Sequence, residues 1–266
     1  MNQTMKTAPI GVTDSGVGGL TVVRRLQQLL PGEDIVYYGD SANCPYGNRS
    51  QEELTELFSR NVEFLKTQGV KAVVVACNTT SALLDSLRRD FGVPMMTIIA
   101  PAARAVQRCG AKRVGLIATE FTVASGSYVR QIHALCPETE VIAAGSPNLA
   151  GLIDRGETDG PAVRAEIDAR VGEIVRRGGV THLILGCTHY PIVEERFRES
   201  FPQLTLIDPA REEAAAAAAA LGAADLINPA AKGRFAIYTS GETAVYEKIA
   251  ARLALTPPDS VEKLSL

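Results

Sequence analysis

The sequence has few of the residues that mark contacts with nucleic acid. Among 266 residues it has no tryptophan, only 5% aromatic residues and a formal net charge of −3. No run of lysine or arginine exceeds two residues, and basic and aromatic side chains do not alternate. These absences argue against a surface that binds nucleic acid by charge and base stacking. We therefore expect no nucleic-acid partner.

Long hydrophobic runs are missing as well. The longest apolar stretch, the alanines from Ala214 to Ala220, is too short and too weakly apolar to span a bilayer, and predicts a helix instead. The first nine residues carry one lysine and no hydrophobic core of the kind found in secretory signals. We therefore expect a cytoplasmic protein without membrane contact, in which thiols stay reduced.

The cysteines and histidines lack the spacings of metal sites. The five cysteines form no Cys-x-x-Cys pair, and the three histidines are not spaced as ligands, so we predict neither a metal site nor a disulfide framework. Cys109 and Cys136 are expected to be small side chains buried in the core. Cys77 and Cys187 differ, because each follows an apolar run and precedes a polar triplet.

Two segments of the sequence repeat each other at an offset of 110 residues. Residues 70–91 and 180–201 each contain an apolar run of strand character, a cysteine, a polar triplet and a helix-like stretch. The identical positions are Val70/Val180, Cys77/Cys187, Arg88/Arg198 and Phe91/Phe201. Because open α/β sheets bind ligands at the carboxyl ends of their strands, the repeat predicts two similar lobes that each present one thiol. Two thiols facing a cleft suit a reaction in which one proton leaves and another arrives on the opposite face.

The repeat extends beyond the cysteine segments. Residues 10–15 correspond to residues 114–119 at an offset of 104, and a further match at an offset of 108 carries Pro101 and Pro209. We expect these prolines to break regular structure and to mark the crossings between lobes. The predicted boundaries are therefore a discontinuous first lobe, residues 1–98 and 209–266, and a second lobe, residues 99–208.

Alternating strand and helix patterns predict an α/β fold with two pseudo-symmetric lobes, each a mostly parallel sheet flanked by helices, and an active site in the cleft between them. Strands are predicted near residues 9–13, 34–38, 71–76, 95–99, 113–118, 139–143, 181–186, 203–207 and 234–238. Helices are predicted near residues 19–30, 50–68, 80–90, 101–109, 122–135, 161–177, 190–200 and 211–221.

A glycine-rich loop, Asp14-Ser15-Gly16-Val17-Gly18-Gly19-Leu20, is predicted where the first strand meets the first helix. Glycine lets the backbone approach a ligand, and the helix N-terminus offers free amide donors. The spacing is not that of a dinucleotide loop, and Asp14 would repel a pyrophosphate. A small ligand with an ammonium group for Asp14 and a carboxylate for the amides fits better; a tight turn with a helix cap has comparable weight.

Polar residues also follow the other predicted strands. The loop after the second strand contains Pro45-Tyr46-Gly47, which favours a fixed turn and is otherwise an ordinary connection. Asn78-Thr79 beside Cys77, and Thr188-His189 beside Cys187, supply the amide, hydroxyl and imidazole groups that a carboxylate-bearing ligand needs. We favour participation of His189 in proton transfer at Cys187 over a structural hydrogen bond.

Four motifs together closely resemble the glutamate racemases, within the cofactor-independent aspartate/glutamate racemase superfamily. They are Asp14-Ser15-Gly16-Val17-Gly18-Gly19-Leu20, Pro45-Tyr46-Gly47, Ala76-Cys77-Asn78-Thr79 and Gly186-Cys187-Thr188-His189-Tyr190-Pro191. The similarity extends over nearly the whole chain, through Tyr238-Thr239-Ser240-Gly241. Motifs of this length are much more specific than a lone glycine loop.

The resemblance implies a two-lobed α/β enzyme that interconverts L- and D-glutamate with no cofactor and no metal. It implies that Cys77 and Cys187 act as the acid and base on opposite faces of Cα, with Asp14 and His189 assisting. The substrate site would be lined by Asp14, Ser15, Pro45, Tyr46, Gly47, Asn78, Thr79, Thr119, Thr122 and Thr188. In this family D-glutamate feeds peptidoglycan synthesis, and dimers are common.

Two segments depart from the family pattern. Where the family commonly has Cys-Pro, an apolar run and Val-Glu, this sequence has Ser146-Pro147-Asn148-Leu149-Ala150-Gly151-Leu152-Ile153-Asp154, so Asp154 replaces a glutamate. The family's Asp-Ser-Gly is here Asp208-Pro209-Ala210-Arg211. Three hypotheses follow: a glutamate racemase, which we favour; an aspartate or broad-specificity acidic amino-acid racemase; and a weakly catalytic, amino-acid-binding regulatory relative.

Overall fold

Strands and helices alternate along the chain. The computed structural model describes residues 3–87 and 89–266, and Arg88, one of the matched positions of the repeat, lies outside them. The strands in these ranges are β1 (Ile10–Asp14), β2 (Ile35–Gly39), β3 (Ala72–Val75), β4 (Met95–Thr97), β5 (Arg113–Ala118), β6 (Glu140–Gly145), β7 (His182–Gly186), β8 (Thr205–Ile207), β9 (Phe235–Thr239) and β10 (Ser260–Lys263). The helices are α1 (Gln3–Thr7), α2 (Leu20–Leu29), α3 (Gln51–Thr67), α4 (Asn78–Ser86), α5 (Ile99–Cys109), α6 (Glu120–Ser125), α7 (Ser127–Leu135), α8 (Leu149–Asp154), α9 (Pro161–Arg176), α10 (Glu194–Ser200), α11 (Pro209–Ala223) and α12 (Thr243–Arg252).

Two separate sheets contain these strands. In the described ranges the first sheet has six strands in the order β10-β9-β2-β1-β3-β4, and the second has four in the order β6-β5-β7-β8. All neighbouring strands are parallel. The central strands β1 and β3 are buried along their whole length, as expected for parallel strands covered on both faces by helices. The predicted α/β architecture with a parallel sheet in each lobe is confirmed.

In each sheet the strand order reverses at the first strand of that sheet along the chain. β1 lies between β2 and β3, and β5 lies between β6 and β7, so the chain leaves each central strand toward one side and later returns on the other. Such a reversal opens a crevice at the carboxyl ends of the two strands. Cys77 comes two residues after β3 and Cys187 directly after β7. Both repeat cysteines therefore stand at the crevice of their own sheet.

One hydrophobic cluster runs through both sheets. It joins Val12 and Val74 of the first sheet to Leu116 and Leu185 of the second. The helix α11 packs against α2 and α5, and so connects the two halves. The lobe boundaries at residues 98 and 208 stay a prediction; all four strands of the second sheet fall between them. No helix in the described part of the chain is long and apolar enough to cross a membrane.

The two prolines of the repeat do not break regular structure as expected. Pro209 is the first residue of α11, where the Asp208 carboxylate caps the helix by accepting a hydrogen bond from the amide of Ala210 at 3.0 Å. Pro101 lies in the first turn of α5. Proline is tolerated there because the first turn of a helix has no intrahelical partner for its amide groups. The prolines therefore help to start helices after β4 and β8.

Four elements of the structure were not predicted from the sequence, and two others were predicted as one. α1, α8 and the edge strand β10 are short, and β10 is only half-buried, so they lack a clear apolar pattern. α12 has one, since Val245, Tyr246 and Ile249 recur at helical spacing, and it was overlooked. The helix predicted at 122–135 is two helices, because Gly126 adopts the left-handed conformation (φ +67°) that ends α6.

Cys109 does not have the core position expected for it. Cys109 is exposed at the end of α5, with its thiol donating to the carbonyl of Val106 at 3.1 Å, and Cys136 is only half-buried. Each residue ends or follows the last turn of a helix, where the side chain lies at the rim of the core. Cys77 and Cys187, by contrast, are both buried.

Candidate active site

The two repeat cysteines occupy equivalent, buried positions. Cys77 directly precedes the first residue of α4 and is 5% exposed, while Cys187 is 6% exposed. The thiol of Cys77 donates to the Ser15 hydroxyl over 3.8 Å, which joins β3 to the glycine-rich loop after β1. Burial and then the negative charge of Asp14 raise the pKa of Cys77 to about 11, so the resting form of Cys77 is the neutral thiol.

Asp14 links the two sheets through its carboxylate. Its Oδ1 accepts a hydrogen bond from the amide of Gly16 at 3.1 Å, and its Oδ2 accepts one from the Thr188 hydroxyl at 2.9 Å. Burial raises the pKa of Asp14 to about 6, against the opposing effects of positively charged His189 and of the hydrogen bonds from Thr188 and Gly16. A carboxyl group in this range can change its charge near neutral pH.

The glycine-rich loop lies directly on the residues that follow Cys187. A Cβ atom at Gly18 would come within 2.4 Å of the Thr188 hydroxyl and 2.6 Å of His189 Nδ1, so only glycine fits there. The hydroxyl of Thr21, in α2, donates to the backbone oxygen of Gly18 at 2.8 Å and to that of Thr188 at 3.3 Å. The loop thus holds the carboxyl ends of β1 and β7 together.

His189 lies between a thiol and a carboxylate. Its Nδ1 is 3.6 Å from Cys187 Sγ, and its Nε2 is 2.9 Å from Oδ1 of Asp154 at the end of α8. Burial disfavours the charged imidazolium, but hydrogen bonds to Asp154 and Cys187 hold the pKa of His189 well above its ordinary value. The imidazole is therefore placed to exchange a proton with Cys187.

Three threonine hydroxyls from both sheets form one hydrogen-bonded group. The hydroxyl of Thr79, in α4, lies 2.9 Å from that of Thr119 and 3.4 Å from that of Thr122, and the last two are 2.9 Å apart. Thr119 also caps α6. Gly47 lies against this group, since a Cβ atom there would come within 2.5 Å of Thr119 Cβ. The carboxylate of a ligand could accept hydrogen bonds from all three hydroxyls in place of the hydrogen bonds that they now make to one another.

Asn78 offers a donor that has no partner. Its Oδ1 accepts a hydrogen bond from the Tyr128 hydroxyl at 2.6 Å, which fixes the orientation of the amide. Its buried Nδ2 has no hydrogen-bond partner within the described ranges. Because a buried unpaired N–H group is costly, this donor is suited to a ligand oxygen.

Tyr46 and Pro45 lie near the site, but the Tyr46 hydroxyl is already hydrogen-bonded to other side chains, whereas Pro45 lines a surface cleft. The Tyr46 hydroxyl donates to Asp40 Oδ2 at 2.7 Å and accepts from the Asn61 amide at 3.2 Å. Its role is therefore to hold the Pro45-Tyr46-Gly47 turn in place. Pro45 follows a cis peptide bond and lines a surface cleft of about 430 Å³ with Pro147, Gly151 and other residues.

Two residues at the site were not among the predicted site residues. Asp154 was noticed only as a departure from a family pattern, and Cys44 gave no signal at all. The ligand atoms of Cys44, Asp154 and His189 lie within 4.8 Å of one another, in a group that could hold a metal ion. These three residues are distant along the sequence, so no spacing rule could have revealed them.

The chain is similar in sequence and in structure to known racemases. The sequence model of the Asp/Glu/Hydantoin racemase family matches residues 10–220. The glutamate racemase of Desulforudis audaxviator is 38% identical over an alignment of 274 positions, which covers 98% of this chain and 99% of that protein. The crystal structure of the Francisella tularensis glutamate racemase in complex with D-glutamate has a TM-score of 0.87 at 31% identity, covering 98% of both chains. That of the Thermus thermophilus glutamate racemase in complex with β-chloro-D-alanine has a TM-score of 0.84 at 38% identity, again covering 98% of both.

The fold, the two thiols at the sheet crevices and the sequence similarities all indicate the same class of protein. The chain belongs to the Asp/Glu/hydantoin racemase family, a family of isomerases. The three relatives described above, which span nearly the full length of this chain, are all glutamate racemases.

Proposed function

We propose that this protein is a glutamate racemase that interconverts L- and D-glutamate by moving protons at Cα between two cysteines, without a cofactor. The observation that carries the proposal is the equivalence of Cys77 and Cys187. Each is buried at the strand-order reversal of its own sheet, and the two are near enough that the charge of Cys187 contributes to the raised pKa of Cys77. A substrate between them would present opposite faces of Cα to the two thiols.

The groups around the thiols match the charges of glutamate. The Asp14 carboxylate provides the negative charge that an ammonium group requires, and both its oxygens keep a free lone pair beside their present hydrogen bonds. The unpaired Asn78 amide and the three threonine hydroxyls provide donors for carboxylate oxygens. Because these groups are buried, we propose that the two lobes separate for the substrate to reach them.

The proton transfer needs no external acid or base. One cysteine, as a thiolate, takes the α-proton, and the electron pair left on Cα is delocalised into the α-carboxylate. The other cysteine, as a thiol, gives its proton to the opposite face of Cα. The first cysteine ends as a thiol and the second as a thiolate, so protons and charge balance. His189 stands beside Cys187 and can reset its protonation state, and Ser15 and Asp14 stand beside Cys77.

Racemisation in deuterated water tests the two-base mechanism. The purified protein, without added cofactor, would be incubated with each enantiomer of glutamate, and early product and remaining substrate analysed by mass spectrometry. We expect the product to carry deuterium at Cα, because the donating thiol exchanges with solvent, and the remaining substrate to carry little. Extensive early label in the substrate pool would instead indicate a single base that exchanges with solvent.

The same assay with aspartate separates the alternative hypotheses. Glutamate is longer than aspartate by one methylene, a difference that pockets discriminate by only about 1–3 kcal/mol. We expect kcat/KM for glutamate to exceed that for aspartate. A preference for aspartate would replace the proposed substrate, and binding without turnover of either amino acid would favour a regulatory protein.

Three broader proposals rest on the family resemblance. We propose that the protein supplies D-glutamate for peptidoglycan, acts in the cytoplasm and forms a homodimer. Depletion in a peptidoglycan-producing host should stop growth unless D-glutamate is supplied. Continued growth of the depleted host without D-glutamate would contradict the first proposal. Sedimentation equilibrium should give twice the mass of one chain, and the mass of a monomer would contradict the homodimer.

A further inference from the structure

Three chemically different ligands come together beside Cys187. Cys44 follows a short 3-10 turn at residues 41–43 after β2, Asp154 ends α8, and His189 follows β7. A sulfur, a carboxylate oxygen and an imidazole nitrogen from these residues lie within 4.8 Å of one another. Because Asp154 Oδ1 lies 2.9 Å from His189 Nε2, we take Nε2 to be the nitrogen of this group. None of the proton-transfer steps above uses Cys44.

We propose that Cys44, Asp154 and His189 form a binding site for one thiophilic divalent cation, of which Zn²⁺ is the best match. Thiolate, imidazole and carboxylate are the three ligand types that zinc accepts in proteins. Three protein ligands leave a fourth tetrahedral position for water or for a substrate oxygen. The mixture of soft sulfur and nitrogen disfavours Mg²⁺ and Ca²⁺, which select oxygen ligands.

The geometry requires only small adjustments. With zinc–sulfur and zinc–nitrogen distances of about 2.3 and 2.0 Å, tetrahedral ligands lie roughly 3.3–3.6 Å apart. The separations of up to 4.8 Å therefore need to shorten by at most about 1.5 Å, while the 2.9 Å separation of Asp154 and His189 widens slightly. Cys44 lies in the loop after β2 and Asp154 is the last residue of the short helix α8, so small movements of these two segments would bring the ligands together.

The charges also suit a divalent cation. A thiolate at Cys44 and the carboxylate of Asp154 would together offset its two positive charges, with His189 neutral. A cation-bound cysteine is a thiolate and a cation-bound histidine is neutral, so cation binding must release the protons that Cys44 and His189 carry. Cation affinity should therefore increase with pH.

Cation binding would inhibit racemisation. The cation would take the His189 nitrogen that now contacts Asp154, and so would remove the imidazole from its role beside Cys187. This consequence depends on the proposed function, whereas the binding site itself does not. We therefore distinguish the two by measuring cation binding directly as well as enzymatic rates.

Cobalt binding provides the direct test. Co²⁺ would be titrated into the reduced full-length protein, with the thiolate-to-cobalt charge-transfer band as the signal and Zn²⁺ as competitor. We expect one Co²⁺ per chain, a thiolate band, and displacement by Zn²⁺. Cys44→Ser should lose the band and bind Zn²⁺ at least tenfold more weakly, while the exposed-thiol control Cys109→Ser should behave as the unaltered protein.

Inhibition gives a second readout, expressed relative to each variant's own metal-free rate. Zn²⁺ should inhibit the unaltered protein and Cys109→Ser reversibly, with recovery on adding a chelator, and should inhibit Cys44→Ser at tenfold or higher concentrations only. Far-ultraviolet circular dichroism establishes that the variants fold, and Cys44→Ala serves if Cys44→Ser does not. An unchanged cobalt band in a folded Cys44 variant would assign the thiolate to Cys77 or Cys187 and overturn the proposal.

Discussion

The Nε2 atom of His189 lies 2.9 Å from the Oδ1 atom of Asp154, and this contact controls the imidazole beside Cys187. The same carboxylate oxygen accepts a hydrogen bond from the amide of Val17 at 2.8 Å. One oxygen atom thus connects the glycine-rich loop of the first sheet to the histidine of the second. A carboxylate in this position fixes the orientation of the ring and stabilises its charged form.

Removing the charge of Asp154 should therefore alter the pH dependence of racemisation. In Asp154→Asn the imidazolium of His189 loses its anionic partner, so the pKa of His189 falls from its raised value and the ring deprotonates at a lower pH. We expect kcat to fall by about 10- to 100-fold in both directions, and the alkaline limb of the kcat/KM profile to move to lower pH. Rates measured from pH 5 to 10 with each enantiomer give both quantities.

Two control variants separate charge from packing at Asp154. Asp154→Glu keeps the carboxylate and should return the alkaline limb toward its original pH, even if the rate recovers only in part. Glu157→Gln alters a nearby surface residue that pairs with Arg155 and should leave the profile unchanged. An alkaline limb that stays in place in Asp154→Asn would exclude His189 as its source.

Replacing either repeat cysteine should abolish racemisation while leaving the fold intact. Serine is nearly isosteric with cysteine, but its hydroxyl is far too weak an acid to act as the thiol does. We expect Cys77→Ser and Cys187→Ser each to lower kcat by about 10²- to 10⁴-fold in both directions, as measured by circular dichroism of glutamate. The exposed control Cys109→Ser should keep its activity. Near-normal turnover by either site variant would remove that thiol from the mechanism.

Asp14 should affect both the rate and the acid limb of the pH profile. With a pKa raised to about 6 by burial, Asp14 loses its negative charge as the pH falls through that value. We expect an acid limb near pH 6 that disappears in Asp14→Asn, together with a loss in kcat on the order of 10²-fold. A loss confined to KM, with kcat unchanged, would reassign Asp14 to substrate binding alone.

The same substitution should raise stability at neutral pH. Between pH 3.8 and about 6 the folded protein keeps the Asp14 proton that the unfolded chain has lost, so stability declines as the pH rises through this window. At pH 7 the accumulated cost is about 3 kcal/mol. Asp14→Asn removes it, and its melting temperature should exceed that of the unaltered protein at pH 7 but not at pH 3.5. An unchanged difference between the two pH values would contradict the raised pKa.

The repeat could be read from the sequence because its signals are local. Parallel strands covered on both faces are continuous apolar runs, so β3 and β7 stand out, and each is followed within two residues by its cysteine. The matching offsets then predicted two similar sheets with one thiol each. Thr79 was expected near the site because it follows Cys77 by two residues, whereas Thr119, whose hydroxyl lies 2.9 Å from that of Thr79, was expected there only from the resemblance to glutamate racemases.

The remaining features depend on contacts between distant segments. Asp154 reaches His189 across 35 positions of the sequence, and Cys44 reaches it across 145, so neither partner has a local signature. Gly126 ends α6 and Pro209 starts α11, and the residue type alone does not distinguish these roles from a turn or a break. Short or half-buried elements such as β10 carry too little apolar periodicity to be found.

A buried acid outside the chemistry should lower the stability of this protein. Glu213, in α11, is fully buried, and neither carboxylate oxygen has a hydrogen-bond partner in the described ranges. Burial and then the charge of Asp14 raise the pKa of Glu213 well above the usual value. Above about pH 4.5 this carboxyl group therefore ionises in the unfolded chain but keeps its proton in the folded protein, and the folded state loses stability as the pH rises. Glu213→Met should therefore gain about 1–3 kcal/mol at pH 7 and less at pH 4.

Urea unfolding at the two pH values measures the effect at Glu213. The neighbouring Glu212, which pairs with Arg108, is the matched control, since loss of such a surface pair should cost less than about 1 kcal/mol. A Glu213→Met protein less stable than the original at pH 7 would indicate that the carboxyl group has a partner in solution.

Breaking the buried ion pair of Lys71 and Glu33 should destabilise the fold without affecting catalysis. Lys71 Nζ lies 2.5 Å from Glu33 Oε2, and both side chains are fully buried. The two residues precede β3 and β2, at the amino-terminal edge of the first sheet, whereas Cys77 follows the carboxyl end of β3. Lys71→Met leaves a buried carboxylate without its partner, which costs about 3–5 kcal/mol in urea unfolding, while Lys66→Met at the surface should cost almost nothing. Adding Glu33→Gln should recover part of the loss, because the two residues are coupled. A changed kcat in the folded Lys71→Met protein would show that this edge communicates with the active site.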